Sequence, residues 1–144
     1  MDTSKTYIQM CEKAEEIQKG WKVSWGDWAW YKLGGKNEIN FPHLELIDNN
    51  QLFSSVVIEV IRRESIWLPR QDQLQEMIDN EEKTDRFWRF VEFLRNPYDK
   101  RSYQITWVVW ANEFSTSMEQ LWLAFVMKEK YNKVWNEENW IKEE

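Results

Sequence analysis

Seven consecutive apolar residues, Leu121 to Met127, leave no polar face on about two turns of helix. A helix of that kind has to be covered on every side. Its ends are marked: Ser117 with Gln120 forms a capping-box pair, Glu119 lies in the first turn and Lys128 and Lys130 in the last. Asn132 suits a left-handed stop. A buried helix over 117–131 is therefore the expected centre of the fold.

From the start, Ser4 or Thr3 can cap a helix running to about Lys19, with Tyr7, Cys11, Ala14 and Ile17 as its apolar stripe and Gly20 just past its end. Trp25 to Leu33 is aromatic and reads as strand, with Gly34-Gly35 as a hairpin-type turn. Glu38–Phe41 and His43–Ile47 continue in loose alternation, and Pro42 marks an edge or a bulge. Residues 51–68 carry both periods. Leu52, Phe53, Val56, Val57, Val60 and Ile61 match a helical stripe, while the β-branched run from Val56 to Ile61, extended by Ile66-Trp67-Leu68, favours strand. The strand reading is the one adopted.

Pro69 suits the first position of a helix to about Asn80, with Leu74, Met77 and Ile78 inward. Thr84 caps a helix to about Arg95 whose stripe is Phe87, Trp88, Val91 and Leu94. Ser102–Trp110 alternates as a strand, and Trp135 and Trp140 anchor a polar tail. Together these elements predict a single α+β domain over 1–144: about four helices around the buried C-terminal helix, with a small Trp-rich antiparallel sheet. A mostly α fold is the alternative.

Three blocks resemble a family of small uncharacterised proteins from phages and prophages of Gram-positive bacteria. They are Tyr7–Gln18, Ile66–Met77 (Ile-Trp-Leu-Pro-Arg-Gln-Asp-Gln-Leu-Gln-Glu-Met) and Ser117–Tyr131, with a shorter match at Gly26-Asp27-Trp28. The resemblance covers about a third of the chain. It implies a mobile-element origin and the cytoplasm of a bacterial host, and it carries over no catalytic residue.

Composition narrows the chemistry. The net charge of −6 argues against a duplex nucleic-acid binder, which has to neutralise phosphates. No apolar run approaches the roughly 20 residues of a membrane span, and the first residues lack a signal-peptide core. The one cysteine, Cys11, falls on an apolar helix stripe and suits a reducing compartment. His43 is the one histidine, and no Cys/His cluster has zinc spacing. Glu12, Glu15 and Glu16 read as a solvated face. No catalytic residue, metal ligand or cofactor is assigned, and the reading leans away from an enzyme.

What remains is binding. All seven arginines lie between Arg62 and Arg101, and arginine's planar fork suits phosphate and aromatic stacking. Arg62, Arg63 and Arg70 around Trp67 could hold a nucleotide-like anion. The opposing reading pairs Arg86, Arg89 and their neighbours with Glu81, Glu82, Asp85 and Glu92 on solvated helices. Trp107, Trp110 and Trp122 read as core, whereas Trp21, Trp25, Trp28 and Trp30 are more than one small sheet needs to bury, and Trp28 and Trp30 are candidate contacts for a protein partner or a second copy. Protein binding is the leading expectation, sequestration of a nucleotide or small anion the second, an enzyme the third.

Overall fold

The computed structural model describes residues 1–32, 43–49, 54–78, 83–95 and 117–143. The fold is α+β. Six helices and two small antiparallel sheets are described, and the chain divides into two compact units, Thr3–Pro69 and Met1–Asp2 with Arg70–Glu144. The expected Gly34-Gly35 turn, the 38–42 stretch and the 102–110 strand, with Trp107 and Trp110, lie outside the described residues.

In the first unit Ser4 caps α1 (Lys5–Lys13), its Oγ accepting from Tyr7 N at 3.2 Å. The expected single helix to Lys19 is broken at Ala14 (φ −83°, ψ 66°), and α2 (Glu15–Gly20) follows. The stripe survives the break: Tyr7, Met10, Cys11, Ala14 and Ile17 are all buried. Gly20 is the last residue of α2 instead of a left-handed stop, and the described glycine with positive φ is Gly26 (82°).

Strands β1 (Trp28–Tyr31), β2 (His43–Leu46) and β3 (Ser65–Leu68) form one antiparallel sheet in the order β2-β1-β3. Residues 55–64 correct the sequence reading: they form helix α3 (Ser55–Glu64), not strand. The helical period wins over β-branched propensity because Ser54 Oγ caps Val56 N at 3.3 Å, one side buries Ile61, and Arg62 and Arg63 meet the negative end of the helix dipole. Ser65 Oγ then donates to Ile61 O at 2.5 Å, and the chain passes into β3 without a loop.

In the second unit α4 (Gln71–Glu76) begins two residues later than Pro69 predicts, with Arg70 at the cap and Gln73 Oε1 accepting from Arg70 N at 2.9 Å. Leu74 and Ile78 are buried as expected, and Met77 is half-buried. Helix α5 (Lys83–Arg95) starts one residue before Thr84, so Thr84 is not its cap. Its expected stripe is displaced. Phe90 and not Phe87 or Trp88 is the buried aromatic, because Phe90 stacks on Trp122 at 4.0 Å and Phe93 meets Phe125 at 5.3 Å.

Helix α6 (Met118–Tyr131) is as the sequence predicts. Ser117 Oγ accepts from Gln120 N at 3.1 Å, Asn132 is left-handed (φ 52°, ψ 45°), and every residue from Leu121 to Met127 is buried. Asp2 supplements the cap, its Oδ2 accepting from Ser117 Oγ and Gln120 Nε2 at 2.6 Å each. Within this unit α4 and α5 pack on α6. The tail is a hairpin, β4 (Lys133–Trp135) and β5 (Trp140–Lys142), in which Trp135 pairs with Trp140, ring centroids 5.0 Å apart.

Phe125 is fully buried among Phe90, Phe93 and Trp122. Phe125→Ala is therefore expected to destabilise the protein by about 3–5 kcal/mol, measured as the shift in urea midpoint. A midpoint within error of wild type would remove α6 from the centre of its unit.

Candidate binding surface

A glycine bulge sets the sheet. Gly26 N donates to Ile47 O at 2.9 Å while Ile47 N donates to Asp27 O at 2.8 Å, so Gly26 and Asp27 together face the single residue Ile47. This arrangement needs a left-handed first residue, which explains the glycine. The Asp27 carboxylate is buried and accepts from Trp21 Nε1 at 2.8 Å and from Ser24 N at 2.9 Å. Trp21, held this way, stacks parallel on Trp67 with centroids 5.8 Å apart and 2° between planes.

From the bulge onward β1 alternates. Ala29 and Tyr31 are buried on one face, where the register adds Glu45 of β2 and Ser65 and Trp67 of β3. Tyr31 has its pKa pushed up to about 12, by burial first and then by the charges of Glu45 and Glu64.

Trp28 and Trp30 lie on the other face. Their cross-strand partners are Leu46 and Leu44 on β2 and Leu68 and Ile66 on β3, so all six positions are apolar. Exposure is graded across this face. Ile66 and Leu68 are buried, Trp28, Trp30 and Leu44 are half-buried, and Leu46 is 46% exposed. Trp25, in the turn before β1, is 67% exposed. The apolar surface thus opens toward the β2 edge, and the face carrying Ala29, Tyr31 and Trp67 is the buried one.

The structure brings Trp28 and Trp30 together and does not gather the arginines beside an open ring. Trp67 lies on the opposite face, buried against Trp21. Arg62 donates to Lys19 O at 3.3 Å and lies 3.8 Å from Glu59. Arg63 pairs with Glu64 at 2.7 Å. Arg70, in the second unit, meets Asp72 through Nε and Nη2 at 3.2 Å each. These three side chains meet carboxylates, whereas Arg86 donates to Gln75 O and Arg89 pairs with Glu129, not with the carboxylates expected for them.

The sequence reading did not single out Leu44 and Leu46 as site residues. Their signal is the polar–apolar alternation of His43-Leu44-Glu45-Leu46, which places both leucines on one face. In the second unit Phe87 and Trp88 are also more than half exposed and meet edge to face at 6.1 Å.

Among the described residues no three His, Cys, Asp or Glu side chains are grouped to hold a metal ion. No described helix is long and apolar enough to cross a membrane. Comparison with protein-family models, with curated proteins and with solved structures yields no match.

A screen of mono-, di- and cyclic nucleotides at low salt is expected to leave the melting temperature unchanged within a degree. Arg63→Ala and Arg70→Ala should each cost no more than about 1 kcal/mol, as exposed ion pairs do. Stabilisation by a nucleotide, lost in either variant, would overturn this reading and support an anion site.

Proposed function

We propose that the chain is an accessory protein of phage or prophage type that works in the cytoplasm of a bacterial host by non-covalent binding to a protein partner or to itself. The binding part of this reading rests on one observation: the apolar face of the first sheet, which stays open from Trp28 and Trp30 to Leu46, with Trp25 beside it. Partly buried tryptophans flanked by leucine are the composition of an interface core, and tryptophan is a preferred hot spot. The phage setting is supported by the sequence resemblance. Sequestration of a nucleotide or small anion has less support, because Arg62, Arg63 and Arg70 meet carboxylates and Trp67 is buried.

The test uses Trp25→Ser and Leu46→Lys, both at exposed positions, so that folding is preserved. Protein purified gently from cells is expected to show an oligomer or a stoichiometric protein partner by native mass spectrometry and sedimentation. The double variant should lose that species while melting within about two degrees of wild type. Wild type that is monomeric and bound to a small anion would favour sequestration. An assembly unchanged in the double variant would move the interface off this face.

A further inference from the structure

Helix α5 carries a second apolar side that its own unit does not bury. Phe90 is buried on α6, but Phe87 and Trp88 are 57% and 58% exposed, with Val91 and Leu94 half-buried beside them. Val91 follows Phe87 by one turn and Leu94 by two, so this surface runs along the helix. The two exposed rings meet at 6.1 Å with 66° between their planes, an edge-to-face pair that orders both side chains in the free protein.

The charges of α5 are sorted between its two sides. Arg86 donates to Gln75 O of α4 and Arg89 pairs with Glu129 of α6, so both arginines hold α5 to its neighbours. Asp85 and Glu92 are exposed, and among the described residues their carboxylates meet no cation and no donor. They stand three residues before Trp88 and four after it, one turn to either side on the same face. A tryptophan ring flanked in this way attracts a cation doubly, through the quadrupole of its face and through the two carboxylates. The same carboxylates repel phosphate, which disfavours nucleic acid and anionic lipid as partners for these rings.

We propose that this face of α5 is a docking site for a basic segment of a partner protein. Apolar side chains of the segment cover Phe87, Val91 and Leu94, and a lysine or arginine lies over Trp88 between Asp85 and Glu92. The site belongs to the second unit and does not rest on the sheet face of the first. A second copy is disfavoured, because an isologous contact sets these carboxylates against their own kind.

The probe is a fluorescein-labelled dodecapeptide with leucine and lysine at helical spacing, read by fluorescence anisotropy on the full chain at low salt. It is expected to bind, and the same peptide with glutamate in place of lysine is expected not to. Trp88→Ala should weaken binding about tenfold, and Asp85→Asn with Glu92→Gln about fivefold. Removing the same charge from the exposed turn of the tail hairpin, by Glu137→Gln with Glu138→Gln, should change binding less than about twofold. Trp88→Ala should also melt within about two degrees of wild type, as exposed positions do.

Failure of the lysine peptide to bind would overturn the proposal. Equal weakening by the two charge-removing pairs would reduce binding to general attraction, and insensitivity to Trp88→Ala would place the peptide elsewhere; each overturns it. A large fall in melting temperature in Trp88→Ala would make the ring part of the fold and overturn it too. Tighter binding to anionic phospholipid vesicles than to the peptide would assign the face to a lipid surface instead.

Discussion

The Gln18 carboxamide joins three parts of the first unit. Its amide nitrogen donates to Cys11 O, at the break between α1 and α2, and to Trp67 O on β3. Its oxygen accepts from Trp67 N. One side chain thus supplies a partner where the helix ladder is interrupted and another where the sheet ends. Buried backbone groups without partners are costly, so the strand edge at Trp67 depends on it, while at the helix break it joins Ala14 N as a second donor to Cys11 O. Tyr7, whose hydroxyl donates to Pro69 O, fixes α1 to the end of the same strand.

The consequences run through the sheet. With β3 closed by Gln18 and β1 central, the most exposed part of the apolar face falls to β2, at Leu46. The Gly26–Asp27 bulge sets which face the two tryptophans of β1 take, and the Asp27 carboxylate turns Trp21 inward onto Trp67. Aromatic residues close together in sequence therefore have opposite fates: Trp21 is core, Trp25 is surface, and Trp28 and Trp30 are intermediate. Short edge strands usually carry a charge or a proline against unwanted pairing, and β2 has Glu45 with Pro42 just before it.

How much of this the sequence reveals depends on how local each cause is. Helix α6 is legible because its caps and its apolar run lie within sixteen consecutive positions, Ser117 to Asn132. The strands carrying Trp28–Tyr31 and His43–Leu46 are legible from composition and alternation. Helix α3 is misread because β-branched propensity is a weak preference that a cap and a buried side override. The break at Ala14 has no local signal, since Gln18 answers to Trp67, 49 positions away. Helix α5 is apolar on two sides, and only packing against Trp122 and Phe125 selects Phe90 and Phe93 over Phe87 and Trp88. At the site, Trp28 and Trp30 are readable as a pair two apart on a strand. The clustering of arginine is not informative, because carboxylates lie within reach along the same helices and turns.

The most direct measurement of this account is amide hydrogen exchange of the free protein, resolved by residue, in wild type and in Gln18→Ala. In wild type the Trp67 and Glu45 amides should be protected. In Gln18→Ala the Trp67 amide should lose its protection, while Glu45, bonded within the sheet, keeps its own. Protection of Trp67 that survives the loss of the carboxamide would contradict the account.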